Sequence, residues 1–365
     1  MSAYLPDELV VIIFNDLSSA EFYRLIHCDH RFYGLAIPLL YRSIRGLSVD
    51  KTTSLLASLC THDHTPPLVQ SLAIDWRKVS VKEHINPLTS FRVFVKGKLF
   101  GPRKMLSNRT SLLNSVLKRT INLTAFSLMV RASDNADMHA AKILDGCSLP
   151  LTSLTTSLSC DRALMTFLRT TPNLSTLNLT YGVDHRIFRN FALDSTHLPV
   201  LKGFGWTDSV PIDQVQHFIE GRPIDKINIV IQTRQLARML DILALSQQSV
   251  TGAFFKFRDT PDDETFILIA TRLPKLRKLK ITIPLLPALE KMSEIADAFR
   301  KFRSLRYITL TIKQTDSTNL IDVLLPCIRT CFFLCTTLVH LEIPQAGTRM
   351  ERRGDSVRLV RISSE

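Results

Sequence analysis

Glycine is scarce in this chain. There are 12 in 365 residues, too few for an alternating strand and helix fold that seals its turns with glycine-rich phosphate loops. Gly-x-Ser-x-Gly, His-Glu-x-x-His, a glycine-rich nucleotide loop and Cys-x-x-Cys are all missing, so the usual signatures of hydrolysis, zinc proteolysis, nucleotide binding and thiol redox chemistry are not there. No apolar run reaches the roughly 18 residues a membrane span needs. Asp7 and Glu8 also fall inside the stretch where the apolar core of a secretory signal would lie. The expectation is a cytoplasmic or nuclear protein with no membrane partner, no cofactor, no bound metal and no catalysis of its own. The seven cysteines are an odd number and read as reduced thiols packed as small apolar groups, not as a disulfide framework. Acid is in deficit as well, with 33 Asp and Glu against 46 Lys and Arg, a net charge of +13. Such a field favours acidic partners and speeds their encounter, but it says nothing about the fold. The bases cluster at 92–109, 275–280, 300–306 and 349–361 and are read first as solvated faces.

What is present begins at the amino end. Pro6 stands where a first helical residue loses nothing by lacking its amide hydrogen, and Asp7 and Glu8 follow in the first turn, where the helix dipole favours anions. A helix should therefore start near Leu5, with Leu9, Ile12, Ile13 and Leu17, interrupted by Asp16, as its buried stripe. Ser18 and Glu21 supply a capping box for a second helix with Phe22, Leu25 and Ile26 inside, ending on His30, Arg31, Phe32 and Tyr33. Pro38 should limit any helix after that. About 40 residues make a poor core alone, so such a unit gains by burying its remaining apolar face on a partner or a neighbouring domain.

Leu5, Pro6, Glu8, Leu9, Ile13, Phe14, Leu17, Leu25, Arg31 and Phe32 together resemble the F-box family pattern, and the segment from Leu39 through Tyr41 and Arg42 to Ile44 is similar to the close of many fungal F-boxes. The resemblance implies a three-helix module that binds the Skp-type adaptor of a cullin-RING ubiquitin ligase, with Leu5, Pro6, Glu8, Leu9, Ile13, Leu17, Leu25 and Phe32 as contact residues. The bottom-up alternative is a helical cap on the rest of the chain, of the kind repeat proteins carry at their ends.

Beyond residue 66 the chain has a period. Segments starting at Val69, Leu123, Leu151, Leu174, Leu201, Ile224, Val250, Leu276, Leu305 and Leu338 each read apolar-x-x-apolar-x-apolar, as in Leu174, Leu177 and Leu179, or Leu276, Leu279 and Ile281. Most are separated by helix-like stretches, expected at 110–119, 162–170, 213–220, 234–245, 263–272 and 289–302. Alternating apolar residues make a short strand with one buried face, and a returning helix covers that face. No such unit can bury itself alone, so stacked copies must share a core. The expected fold class is an α/β repeat, leucine-rich-repeat-like, with parallel strands on one face and helices on the other, preceded by the three-helix F-box module. The Asn or Cys that bonds the turn backbone in leucine-rich repeats is missing after Leu179 and Ile281, so the array should be irregular. The expected boundaries are 1–45 for the module, 46–66 for a helical linker, 67–346 for the array, and 347–365 for an Arg-rich polar tail. A Lys- and Arg-rich insertion at 91–109 reads as loop, hairpin or degenerate repeat.

In such an array the residues between the buried ones point to the open, concave side. Thr176, Asn178, Lys226, Asn228, Lys278, Lys280, Tyr307, Thr309 and Glu342 are the candidate substrate-binding residues, and the lysines point to an acidic or phosphorylated protein substrate. The resulting expectation is a non-catalytic substrate-recognition subunit that holds the Skp-type adaptor, and through it the cullin, at one end and cargo on the repeats. The alternatives are a nucleic-acid-associated basic protein, with nucleic acid the less favoured partner, or an adaptor-bound scaffold that delivers nothing for degradation. Cys327, Cys331 and Cys335 lie four apart, and Cys60, His62 and His64 lie close together. Both sets are read as packing and helix-end groups, since neither supplies four ligands at usable spacing.

Overall fold

The apolar-x-x-apolar-x-apolar segments become strands in every case, and each strand opens two residues after the first apolar position. A computed structural model describes residues 5–17, 21, 24–25, 27–78, 102–130, 140–158, 160–180, 193–207, 211–285, 289–314, 320–354 and 356–361. The chain forms two units, Met1–Leu174 and Ser175–Glu365.

In the first unit, helices α1 (Asp7–Asn15) and α2 (His30–Arg42) precede β1 (Ser43–Ile44). Helix α3 (Val49–Thr61), β2 (Ser71–Asp75), α4 (Pro102–Arg119), β3 (Ala125–Met129), α5 (Ala140–Leu144), β4 (Ser153–Thr156) and α6 (Arg162–Arg169) then alternate. The strands pair in parallel in sequence order, with Ser43 beside Ser71, Ser71 beside Ala125 and Ala125 beside Ser153. The sheet thus starts at Ser43, inside the stretch expected to close the helical module.

The second unit repeats the scheme. Strands β5 (Thr176–Leu179), β6 (Gly203–Thr207), β7 (Lys226–Ile231), β8 (Gly252–Phe257), β9 (Lys278–Leu285), β10 (Tyr307–Gln314) and β11 (His340–Ile343) run parallel in sequence order. From β6 onward a helix lies between each pair: α7 (Ile212–Ile219), α8 (Thr233–Leu243), α9 (Asp263–Arg272), α10 (Leu289–Ala298) and α11 (Leu320–Leu334). Asp262 starts α9 by accepting from the Thr265 amide at 2.9 Å, as the acidic run there predicts. The core lies between strands and helices. Leu177, Phe204, Ile227, Phe255 and Ile281 are buried from the sheet, and Val215, Phe218, Leu236 and Met239 from the helices. The Phe204 and Phe218 rings stack at 5.7 Å.

The turns before the strands are closed by backbone hydrogen bonds. The Gln70 carbonyl accepts from the amides of Thr124 and Ala125 at 2.9 and 3.0 Å, and the Thr124 carbonyl accepts from Thr152 and Ser153. In the second unit the carbonyls of Ser175, Lys202, Asp225, Thr251, Arg277 and Arg306 each accept from the two amides that open the next strand. Buried amides must find partners, and this ladder supplies them without a dedicated side chain.

Four expectations need correction. First, the buried stripe of α1 is Val10 and Phe14, not Leu9, Ile12 and Ile13. Second, His30, Arg31, Phe32 and Tyr33 open α2 instead of closing a helix, with the Asp29 side chain accepting from the Arg31 amide as its cap. Third, α2 runs through Pro38, whose i−4 neighbour is Gly34. Fourth, the stretch expected as a polar tail carries β12 (Thr348–Arg353) and β13 (Ser356–Arg361), an antiparallel hairpin added to β11. Arg349, Arg353 and Arg358 face the side opposite Met350, Val357 and Leu359, a period of two that the charge obscured. Helix α4 also begins earlier than expected, inside the basic insertion. Of the capping box, Ser18 lies outside the described residues, as do residues 91–101 of the insertion.

Candidate functional site

Two surfaces carry the candidate residues. The first is on α1. Its sequence is apolar almost all round from Leu9 to Phe14, so periodicity cannot select the buried face. Contact with α2 does. Val10 and Phe14, 4% and 3% exposed, close on Ala36, whose small side chain lets the helices approach. Phe14 and Phe32 meet edge to face at 5.9 Å, and Leu17, Leu25, Leu35, Leu39 and Leu40 pack around them.

This leaves a second apolar ridge bare. Leu5, Leu9, Ile12 and Ile13 are 43%, 46%, 59% and 51% exposed, and Pro6 and Glu8 are exposed beside them. Full burial of a side chain of this kind is worth about 1.5–3 kcal/mol, a gain this module leaves unrealised. Leu5 and Ile13 also share a groove of about 690 Å³ with Leu17, Leu25, Phe32, Arg24 and Arg31. Arg31 braces its mouth, donating from Nε to Asp7 Oδ1 at 2.7 Å and from a second nitrogen to the Leu5 carbonyl. Among the expected adaptor contacts, Leu5, Pro6, Glu8, Leu9 and Ile13 stand exposed, while Leu17, Leu25 and Phe32 are half-buried in the module. Ile12, which spacing alone places in the buried stripe, is the most exposed of the ridge.

The second surface is the open face of the sheet in the second unit. Thr176 and Asn178 on β5, Lys226 and Asn228 on β7, Lys278 and Lys280 on β9, Tyr307 and Thr309 on β10, and Glu342 on β11 all alternate with buried residues and share this face. Register brings them into rows. Lys226, Gly252, Lys278, Tyr307, His340 and Glu351 are successive neighbours in one row, and Asn228, Phe254, Lys280, Thr309, Glu342 and Arg349 in the next. Tyr307 stacks on His340 at 5.1 Å with rings 10° from parallel, and Lys278 Nζ lies 5.4 Å from the Tyr307 centroid. Lys280 Nζ is 5.0 Å from the centre of Phe254. Such contacts hold an ammonium over a ring face. Glu351 is nearly buried and ion-paired with Arg349 at 2.5 Å. His340 Nδ1 is 3.8 Å from Glu351 Oε1, too far for a hydrogen bond. Glycines open the face on β6: a Cβ on Gly205 would lie 1.9 Å from Asn178 Oδ1, so the Asn178 side chain lies across that strand. Phe254 and Lys256 join the sequence-predicted residues on this face, and the alternation of Gly252, Phe254 and Lys256 along β8 is the signal that marks them.

Cys160, Cys331 and Cys335 are buried as packing groups, whereas Cys28 is exposed. Cys331 and Cys335 are buried on α11 and at its end, and all seven cysteines are free. A hydrogen bond between Cys331 and Cys327 lowers the Cys327 thiol and, with burial, pushes Cys331 well up. Among the described residues no three His, Cys, Asp or Glu side chains converge as a metal site, and no helix is long and apolar enough to cross a membrane. No protein-family model matches the chain, and no curated protein matches it in sequence.

Proposed function

We propose that this protein is a substrate-recognition subunit of an SCF-type cullin-RING ubiquitin ligase. The ridge on α1 docks a Skp-type adaptor, and the open face of the repeats holds a protein substrate. The observation that carries the reading is the uncovered row Leu5, Leu9, Ile12 and Ile13 on a helix whose opposite side is already anchored by Val10 and Phe14. It belongs to the helix on which the F-box resemblance rests, and its burial by a partner would supply association energy that the module does not use internally. The chain needs no nucleophile for this role. Holding the substrate near the charged enzyme raises the effective concentration of its lysines, and that is the rate advantage.

The test is capture from cell extract with the full chain beside a Leu5→Asp, Leu9→Asp variant. Adaptor and cullin should be retrieved by the wild type and lost together from the variant, and proteins retained by both are candidate substrates. If the wild type captures no adaptor where known F-box proteins do, the reading is wrong.

A further inference from the structure

Strands β7 to β10 contain no Asp or Glu at all, and their open face carries Lys226, Lys256, Lys278, Lys280 and Lys313. None of the five lysines has an ion-pair partner among the described residues. The carboxylates of the neighbouring strands do not offset them. Glu351 is engaged by Arg349, and Glu342 sits opposite Arg349 in register. The charge is therefore local to four adjacent strands.

We infer that this face binds an extended acidic peptide, with side-chain carboxylates held by Lys226, Lys278 and Lys280 and an apolar side chain set beside Phe254 and Tyr307. The inference rests on the cargo-binding role proposed above and names the chemistry of the cargo. Lys278 and Lys280 are two residues apart on one strand, about 6.7 Å, which is also the spacing of same-side residues in an extended peptide. A peptide lying along β9 with acids at alternate positions meets both. Gly252 lies between Lys226 and Lys278 in the row. A Cβ there would lie 3.5 Å from Lys226 Cγ, so the missing side chain leaves a notch in which the Lys226 stem lies. The rings of Phe254 and Tyr307 hold the ammonium groups of Lys280 and Lys278 in place, so less side-chain freedom is lost on binding. Single-stranded nucleic acid would stack its bases on such rings, and part of that ring surface is already taken. Tyr307 is already faced by His340 and Lys278, and Phe254 by Lys280.

The experiment uses the full chain without any adaptor and measures fluorescence anisotropy with two labelled probes. One is a peptide of alternating Glu and Ala with a central Phe, and the other a single-stranded oligothymidylate. The peptide should bind, weaken as salt rises, and lose about tenfold or more in affinity on Lys278→Met, Lys280→Met, a change that keeps an unbranched side chain and removes the charge. Melting temperature checks that this variant folds, and Lys278→Gln, Lys280→Gln serves if it does not. Peptide affinity should be unchanged by Leu9→Asp, Ile13→Asp, so failure here and failure of adaptor capture are separate results. Binding of the oligonucleotide without the peptide, binding of neither, or peptide affinity indifferent to the lysine changes would each overturn the inference.

Discussion

Arg222 donates from Nη2 to the main-chain carbonyl of Asp194 at 2.7 Å, and not to its carboxylate. The guanidinium is fully buried. It also reaches the carbonyls of His197 at 2.9 Å and His217 at 2.7 Å, tying the segment before β6 to the end of α7. Burial lowers its pKa, partly offset by the charges of Asp194 and Glu220. Planar, multi-pronged donation is what arginine supplies and lysine does not. Each buried carbonyl left unpaired costs about 1–3 kcal/mol, so Arg222→Met should destabilise the second unit by about 3 kcal/mol or more, with Arg222→Lys between it and wild type. Urea unfolding followed by Trp206 fluorescence in a Trp76→Phe background measures this. A loss under about 1 kcal/mol would show that Arg222 does not hold these elements together.

Asp194 itself gives a pH signature. Its exposed carboxylate accepts from the Thr196 hydroxyl, from the Thr196 amide at 3.0 Å and from His197 Nδ1 at 2.7 Å. These bonds, the Thr196 side chain foremost, lower its pKa from 3.8 to about 2. A depressed folded-state value means that the contribution to stability is complete above the unfolded-state value and is lost as pH falls through the folded one. The relevant window is thus acidic, between the two values. Carboxyl carbon NMR should place the Asp194 titration near the lower value and show Thr196→Val moving it upward. Titration of wild-type Asp194 at the ordinary value would remove the hydrogen-bonded turn from the account.

How much of this was legible depends on where the physics is local. Strands were readable because the first apolar residue of each hexad is buried two positions ahead of its strand, as at Leu174 and Leu276, and burial demands an apolar residue whatever the neighbours are. The face of α1 was not readable. Six consecutive apolar residues fit several faces, and only contact with Ala36 on another helix selects Val10 and Phe14. The hairpin of β12 and β13 was hidden because Arg349, Arg353 and Arg358 occupy its open side, and alternating charge reads as a solvated tail. The open-face lysines could be named from the sequence, but their pairing with Tyr307 and Phe254 could not, since parallel register between segments some 30 residues apart is set by the whole stack.

Gly205 and Asn178 form a coupled pair across β5 and β6. A Cβ at Gly205 would lie 1.9 Å from Asn178 Oδ1 and 2.8 Å from its Cγ, so Gly205→Ala forces the amide out of its place. The cost should be about 1–3 kcal/mol, in the range for added bulk without space. Asn178→Ala should restore most of it, because the obstruction is that side chain and not the backbone. A double-mutant cycle on unfolding free energies should give a coupling above about 0.5 kcal/mol. Additive effects would mean the strands shift to make room.

The two sides of α1 should respond oppositely to the same kind of change. Val10 and Phe14 are buried against Ala36, whereas Leu9 and Ile13 are about half exposed. Truncating a buried Phe costs about 3–5 kcal/mol, and few contacts hold so small a module, so Phe14→Ala should leave Asp7–Asn15 open to solvent. Leu9→Asp with Ile13→Asp removes no core contact and should stay within about 0.5 kcal/mol of wild type. Amide hydrogen exchange in this helix separates the cases: fast in Phe14→Ala, and as slow as wild type in the ridge variant. The comparison also determines what an adaptor-capture failure means. Loss of capture with exchange unchanged is the loss of a docking surface, while loss with fast exchange is only the loss of a fold. If the ridge variant exchanges as fast as Phe14→Ala, the ridge belongs to the core, and no surface remains there for a partner.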